Sequence, residues 1–393
     1  MKPIRHILLL ISILYMFSCD KEDISSGQKT TFIKYFTDFP EFKAADVVVT
    51  DNGYAVLGTA TTIDNSKYIC LIKTDEYGNT TDSIRTYGVN ARNTAWCLKA
   101  LDDGGYAILG SYINDTTEHK AVYFIRTNSA GDTLWTKKIR RNGDLEAVYF
   151  DVSDNGSFFM TGYYDTDSLN LKKQIWCMGI DESGNTIGNQ RLYGFPSGDD
   201  MGTHLQILPD ERLVITGYVT HSQGKMPFII KTKENTVFAD AWELSGNANE
   251  SGNCIRALDG DNFLLLTTYS TSGQEQVTLK RVHMSSSLHE INWQKSFDNG
   301  TRESGRDLIL NGQTFYILST SALNTSNSSI AITTTNPEGL QSNRVEFGSE
   351  SQLLGSSFKQ TADGGFIITG TNQHAEANNT AITLIKTDSH TGL

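Results

Sequence analysis

Tyr54-Ala-Val-Leu-Gly58 is a short apolar run closed by a glycine, and its pattern returns six more times along the 393-residue chain. The repeats are Tyr106-Ala-Ile-Leu-Gly110, Phe158-Phe-Met-Thr-Gly162, Leu213-Val-Ile-Thr-Gly217, Phe263-Leu-Leu-Leu-Thr267, Phe315-Tyr-Ile-Leu-Ser319 and Phe366-Ile-Ile-Thr-Gly370. Their closing residues are 52, 52, 55, 50, 52 and 51 apart. Each run has the aliphatic and aromatic content of a buried strand. A period near 50 with strands in each unit predicts a repeated all-β architecture, one sheet per repeat, of the β-propeller kind.

A second strand follows each of these runs. Tyr68-Ile-Cys-Leu-Ile-Lys-Thr-Asp75 recurs at 122–128, 175–181, 228–233, 278–283, 330–336 and 382–388. Asp75/Gly78, Asn128/Gly131, Asp181/Gly184 and Asn336/Gly339 mark the turn after it, with Asp or Asn opening the turn and glycine closing it at positive φ. A further strand ends at Tyr87, Ile139, Tyr193, Leu244, Phe297 and Phe347, one fewer than the other strands require. The missing one sits at the front, because Phe32-Ile-Lys-Tyr-Phe36 matches Trp293-Gln-Lys-Ser-Phe297. The expected fold is therefore a seven-bladed β-propeller of four-stranded blades over residues 31–393, closed by the N-terminal strand completing the last blade.

The units resemble those of secreted bacterial β-propellers with the consensus D-G-G-[YF]-x-x-x-G, then L-I-K-T-D-x-x-G-N, then tryptophan. Asp103-Gly-Gly-Tyr-Ala-Ile-Leu-Gly110, Leu71-Ile-Lys-Thr-Asp-Glu-Tyr-Gly-Asn79 and Trp135 carry the resemblance. It implies the fold and no particular activity. Thr267 and Ser319 are the main departures.

The N-terminus gives an address. Lys2 and Arg5 precede an apolar run from Ile7 to Phe17, and Ser18-Cys19 follows as in a lipobox. The run is too short for a permanent span, so residues 1–18 read as a lipoprotein signal peptide and Cys19 as the lipidated residue. Residues 19–30 read as an acidic tether. Cys19-Asp-Lys-Glu-Asp23 resembles the surface-export signal of Bacteroidota lipoproteins, which implies an outer-membrane protein on the extracellular face. The lipid is then the sole membrane contact.

Without Lys2 and Arg5 the net charge falls from −12 to −14, which argues against nucleic acid. Cys70, Cys97, Cys177 and Cys254 lie in apolar runs without metal-ligand spacing and read as buried thiols, with a Cys70–Cys97 disulfide left open. The chain calls for no cofactor and carries no linear catalytic motif.

The connections after the second and fourth strands of each unit differ in length and composition, and such loops are where function is usually carried. Two sets of residues map there. Tyr112, Tyr163, Tyr164, Tyr218 and Tyr269 lie at second-strand exits and suit a sugar or protein partner; Tyr112, Tyr164 and Tyr269 are the candidate contacts. Asp200, Glu250 and Glu303 form an acidic rim suited to a cation or hydroxyl groups. His204, beside Asp200, reads as structural. Ser83, Thr116, Thr133 and Ser168 sit in D-[ST] motifs resembling Bacteroidota O-glycosylation acceptors. The leading expectation is a non-enzymatic binding or scaffold module with a protein or glycan partner on the variable face. The alternatives are a polysaccharide-acting enzyme or glycan-binding component, and a periplasm-facing assembly scaffold.

Overall fold

The computed structural model describes residues 31–393 apart from 167–171, 195–197, 234–235, 245–248, 272, 323–326, 349–350 and 374–378. The signal, the tether, Cys19 and Ser168 lie outside the described residues. The fold is all-β, with 28 strands and no helix among the described residues.

β1 (Phe32–Phe36) stands before the first repeat. Unit one is β2 (Glu41–Thr50), β3 (Gly53–Thr61), β4 (Lys67–Thr74) and β5 (Arg85–Tyr87). Unit two is β6 (Asn93–Ala100), β7 (Tyr106–Ile113), β8 (Lys120–Thr127) and β9 (Thr133–Ile139). Unit three is β10 (Gly143–Val152), β11 (Phe158–Thr166), β12 (Gln174–Ile180) and β13 (Thr186–Tyr193). Unit four is β14 (Met201–Ile207), β15 (Leu213–His221), β16 (Gly224–Thr232) and β17 (Phe238–Glu243). Unit five is β18 (Glu250–Asp259), β19 (Asn262–Thr271), β20 (Gln274–Met284) and β21 (His289–Phe297). Unit six is β22 (Glu303–Asn311), β23 (Thr314–Ser321), β24 (Ser329–Thr335) and β25 (Gln341–Phe347). β26 (Gln352–Gln360), β27 (Phe366–Gln373) and β28 (Thr380–Lys386) complete the chain.

Units two to six are separate four-stranded antiparallel sheets. The remaining eight strands form one sheet, which resolves into β26-β27-β28-β1 and β2-β3-β4-β5. A single parallel pair, Glu41↔Thr380, joins the two halves. β1 pairs β28 antiparallel from Phe32↔Lys386 to Phe36↔Ile382, so the strand at the front of the chain supplies the fourth strand of the last unit.

Apolar side chains between consecutive sheets build the core. Leu57 and Ile69 of unit one pack with Leu98 and Ile108 of unit two. Val47 and Val56 of unit one pack with Ile382 and Leu384 of β28, together with Phe36 of β1. In two units the buried basic residue of the third strand reaches the aspartate of its own first-hairpin turn, Lys386 to Asp363 at 2.7 Å and Arg126 to Asp103. The D-x-x-G turns form as expected. Asn79 N–H donates to Asp75 Oδ1 at 2.8 Å, and Gly78 takes a φ of 75° that a side chain would resist.

The four cysteines are free and buried. Burial pushes the Cys177 and Cys254 thiols up to about 12, and Cys70 and Cys97 move in the same direction. These thiols are inert as nucleophiles at neutral pH.

Candidate active site

The first strand of each unit breaks register at one equivalent place. The breaks fall at Ala44/Asp46, Ala95/Cys97, Ala147/Tyr149, Gly202/His204, Gly252/Cys254, Gly305/Asp307 and Gly355/Ser357. A bulge re-aims the side chains that follow it. The small residue before each break is set by the neighbouring sheet. A Cβ on Gly202 would lie 2.2 Å from Thr161 Oγ1, and one on Gly252 would lie 2.4 Å from Thr216 Oγ1.

Beyond the bulges, side chains from the seven first strands meet one another in succession. Asp46 of β2 lies 3.5 Å from Lys359 of β26, which lies 3.6 Å from Asp307 of β22. Asp307 holds Arg256 of β18 at 3.0 Å, and Arg256 Nη1 lies 2.7 Å from His204 Nε2 on β14. The His204 and Tyr149 rings are 4.0 Å apart, and Lys99 Nζ of β6 reaches the Tyr149 hydroxyl on β10 at 3.2 Å. Leu98 N–H then donates to Asp46 Oδ2 at 2.9 Å, which returns the series to β2. Asp151 accepts from Lys99 at 3.2 Å.

Three cations and three carboxylates balance here, as a partly buried site requires. Burial acts against the Lys99 ammonium, but Tyr149 and Asp151 outweigh it and hold its pKa well above the ordinary lysine value. Burial acts against ionised Asp46 too; Lys359, a hydroxyl and the Leu98 amide outweigh it, so its carboxyl titrates low. Burial raises Tyr149, with Lys99 and Arg256 pulling the other way. His204 is the exception, because burial and the charges of Arg256, Lys99 and Lys359 all press its pKa well below the usual imidazole value.

His204 is therefore neutral at pH 7. A guanidinium can only donate, so Nε2 accepts from Arg256 and the ring proton sits on Nδ1. That Nδ1 is buried and has no hydrogen-bond partner. A buried unpaired donor costs on the order of 1–3 kcal/mol, which a ligand oxygen would relieve. Beside it stand the Tyr149 phenol and two cations, all donors. The arrangement suits stabilising negative charge that develops on oxygen, with the phenol placed for proton transfer. Among the described residues, no group of three or more His, Cys, Asp or Glu is placed to hold a metal ion.

The predicted acidic rim is not a rim. Glu250 and Glu303 are buried and paired. Lys280 Nζ lies 2.9 Å from Glu250, with side chains 3% and 2% exposed respectively. The Thr267 hydroxyl donates to Glu250, and the Ser319 hydroxyl to Glu303. Arg344 Nη1 lies 2.8 Å from Glu303, and Asn299 Nδ2 donates to it at 2.9 Å. The two units that lose the closing glycine are the units that bury a glutamate, and the replacement hydroxyl serves that glutamate. Asp200 is buried as well and accepts weakly from Thr220 N–H at 3.4 Å.

The tyrosines do not form an open stacking surface either. Tyr112 and Tyr164 are buried in different core clusters. Arg140 Nε donates to the Tyr112 hydroxyl, and the Tyr164 hydroxyl donates to Asn142 O at 2.8 Å. Tyr269 is half-buried and stands directly opposite Glu250 across β18 and β19. Of the six candidate contacts, that is the pair the fold brings together. Ser83, Thr116 and Thr133 are exposed.

No protein-family model and no curated protein matches the sequence. Solved structures do. The chain superposes on an ulvan lyase of a polysaccharide lyase family with a TM-score of 0.55 and 9% identity, covering 91% of this chain and 96% of that one. It superposes on a puromycin hydrolase with a TM-score of 0.57 and 12% identity, over 89% of this chain and 52% of that one. It thus spans about half of the hydrolase. It also aligns with the β-propeller domain of the Trilobed protease from Pyrococcus furiosus, at TM-score 0.49 and 12% identity, over 89% and 94% of the two chains. At such identities the likeness shows the fold alone, shared with the lyase and the hydrolase.

The expectation of a non-enzymatic scaffold, drawn from the lack of linear motifs, is corrected here. The matching structures of this fold are of a lyase and a hydrolase, so a missing motif is no sign of a missing activity. The physical reason lies in the axial series. It draws single side chains from seven strands spread along the chain, and no linear pattern can reveal such a site.

Proposed function

We propose that this chain is an enzyme acting on polysaccharide, with its chemistry at Lys99, Tyr149, His204 and Arg256. The observation that carries the reading is the unpartnered Nδ1–H of a neutral His204 set among a phenol and two cations. Cleavage of a glycosidic bond puts negative charge on the departing oxygen, which takes a proton from the Tyr149 phenol. The phenolate regains one from the water that adds to the anomeric carbon or from the sugar carbon that loses a proton on elimination. Tyr149 is placed to move the proton, and Lys99, Arg256 and His204 Nδ1–H to hold the charge. The superposition on a polysaccharide lyase over nine tenths of the chain is compatible with this substrate class.

The reading includes a ring of seven four-stranded blades. It is supported by the β1–β28 pairing and by the contacts that link every successive pair of first strands. It also includes a lipid anchor at Cys19 that holds the protein outside the outer membrane, where polysaccharide is met.

The test is a panel of neutral and uronate-containing polysaccharides incubated with the purified protein. Unsaturated products are read by ultraviolet absorbance and new reducing ends by a sugar assay. Tyr149→Phe should lower kcat by about a hundredfold or more on the substrate that responds. His204→Asn should do the same while preserving the fold. Turnover by the wild type that both variants retain would place the chemistry elsewhere. No turnover on any polymer would reject the reading.

A further inference from the structure

The tyrosines on the loop-rich face carry an arrangement of their own. Arg140 Cζ lies 5.7 Å from the Tyr112 ring centroid, and Arg141 Cζ lies 4.2 Å from that of Tyr164. Lys120 and Lys173 lie 5.9 and 4.7 Å from Tyr163, and Lys225 lies 3.8 Å from Tyr218. Five cations thus sit on four rings across units two, three and four. A cation on an aromatic face is held in place yet keeps its charge for a second partner.

Carboxylates stand among them, Asp144, Glu146 and Asp165 acting on Tyr163 and Asp199 and Asp200 on Tyr218, yet most of the cations are not paired with one. Lys120 is bound to Glu146 at 2.8 Å. Among the described residues, Arg140, Arg141, Lys173 and Lys225 form no ion pair, and the Nη1 of Arg141 is buried without a hydrogen-bond partner. The neighbouring acids have other partners: Asp144 accepts from Lys120 N–H, Asp199 from Lys173 N–H, and Glu243 pairs with His221. Burial and the charge of Lys173 lower the Lys225 pKa, which shows the two ammonium groups crowding each other. The contrast with the tight-turn face is direct. Its cleft of about 880 Å³ is lined by Asp51, Asp82 and Asp102, and its one lysine, Lys73, is already paired with Asp82.

We infer that these cation-on-tyrosine pairs form a track for an acidic polysaccharide, one whose carboxylate or sulfate groups meet Arg140, Arg141, Lys173 and Lys225 in turn. This deepens the proposed function by naming the charge class of its substrate, and it rests on that reading. The track borders a cleft of about 530 Å³ lined by Lys67, Arg92, Trp96, Lys120 and Glu146. Trp96 stands on β6, the strand that also carries Lys99. The polymer's anionic groups would hold it on the face while one linkage reaches Tyr149. Net negative charge and a short row of separated cations favour a sulfated or uronate chain over nucleic acid, which would need a wider basic surface.

The test measures affinity by electrophoresis of the purified protein through gels containing polygalacturonate, dextran sulfate or neutral dextran, at several salt concentrations. The wild type should be retarded by the acidic polymers alone, and less so as salt rises. Combining Arg140→Gln, Arg141→Gln, Lys173→Gln and Lys225→Gln should weaken that binding by on the order of a hundredfold. The control pair Lys138→Gln and Lys233→Gln, exposed positions off the track, should leave it unchanged. Equal loss per charge removed in both variants would mean net charge alone is being read and would overturn the track. So would equal retardation by dextran, or a preference for anionic lipid vesicles over the acidic polymers. The two proposals fail separately. Cleavage with an unchanged KM in the fourfold variant rejects the track and leaves the enzyme; track-dependent binding without cleavage does the reverse.

Discussion

Replacing Glu250 by glutamine changes one charge and almost no volume, and the position of Lys280 determines the cost. The Lys280 ammonium is 3% exposed and 2.9 Å from the Glu250 carboxylate, with Gln294 Oε1 at 2.7 Å as its other partner. At that separation and an effective dielectric near 20, the attraction is about 6 kcal/mol before the desolvation of both groups is counted. Glu250→Gln keeps an acceptor for the Thr267 hydroxyl but leaves a buried cation without its counter-charge, which costs about 3–5 kcal/mol. An acid on a solvated rim would change stability by no more than about 0.5 kcal/mol. Urea unfolding followed by intrinsic fluorescence separates these outcomes, provided the slope of the transition is unchanged between variants. The double variant Glu250→Gln/Lys280→Met removes both charges and should recover most of the loss, since an apolar replacement of a buried pair is close to neutral. A single variant as stable as the wild type, or a double variant worse than the single one, would refute the buried pairing.

Tyr164→Ala should cost about 3–5 kcal/mol in the same assay, while Tyr164→Phe, which loses only the bond to Asn142, should cost about 1 kcal/mol; equal effects would mean the ring is not part of the core. Deleting Phe32–Phe36 unpairs the edge of β28 and uncovers the cluster that Phe36 joins, so the melting temperature should fall and aggregation rise, and an unchanged melting curve would remove β1 from the sheet. Stability should decline as pH drops below about 6.5, because the unfolded chain there takes a proton that buried His204 refuses. Low-titrating Asp46 adds to the decline further down, as the fold resists protonating it. His204→Asn should flatten the upper part of that profile, and an identical profile in the variant would assign the acid sensitivity to other groups.

The strands and their order were legible because each unit repeats the same apolar beat, and the displaced first strand was legible because Phe36 keeps the period. Burial was not. Tyr112 and Tyr164 lie near the ends of their strands, but Arg140 and Arg141, between β9 and β10, fold over them, a contact without a sequence period. For Glu250 and Glu303 a signal was present: Thr267 and Ser319 replace glycine in the same two units, and a hydroxyl in a crowded core position implies a buried acceptor. The axial series left no such trace. Its members are Asp46, Lys99, Tyr149, His204, Arg256, Asp307 and Lys359, and the bulge before each group shifts the alternation of side chains by one. Pattern reading that counts every second residue from the strand start therefore points them the wrong way.

The pairing of β1 with β28 also sets a schedule. Phe36 is made early, and its partner Ile382 follows 346 residues later. At ribosomal speeds of about 5–20 residues per second, β1 waits roughly 20–70 s for a neighbour to exist. During that interval Val47 and Val56 also lack the β28 side chains that cover them. The last unit cannot be completed until β28 is synthesised, so its closure is timed by the far end of the repeat array.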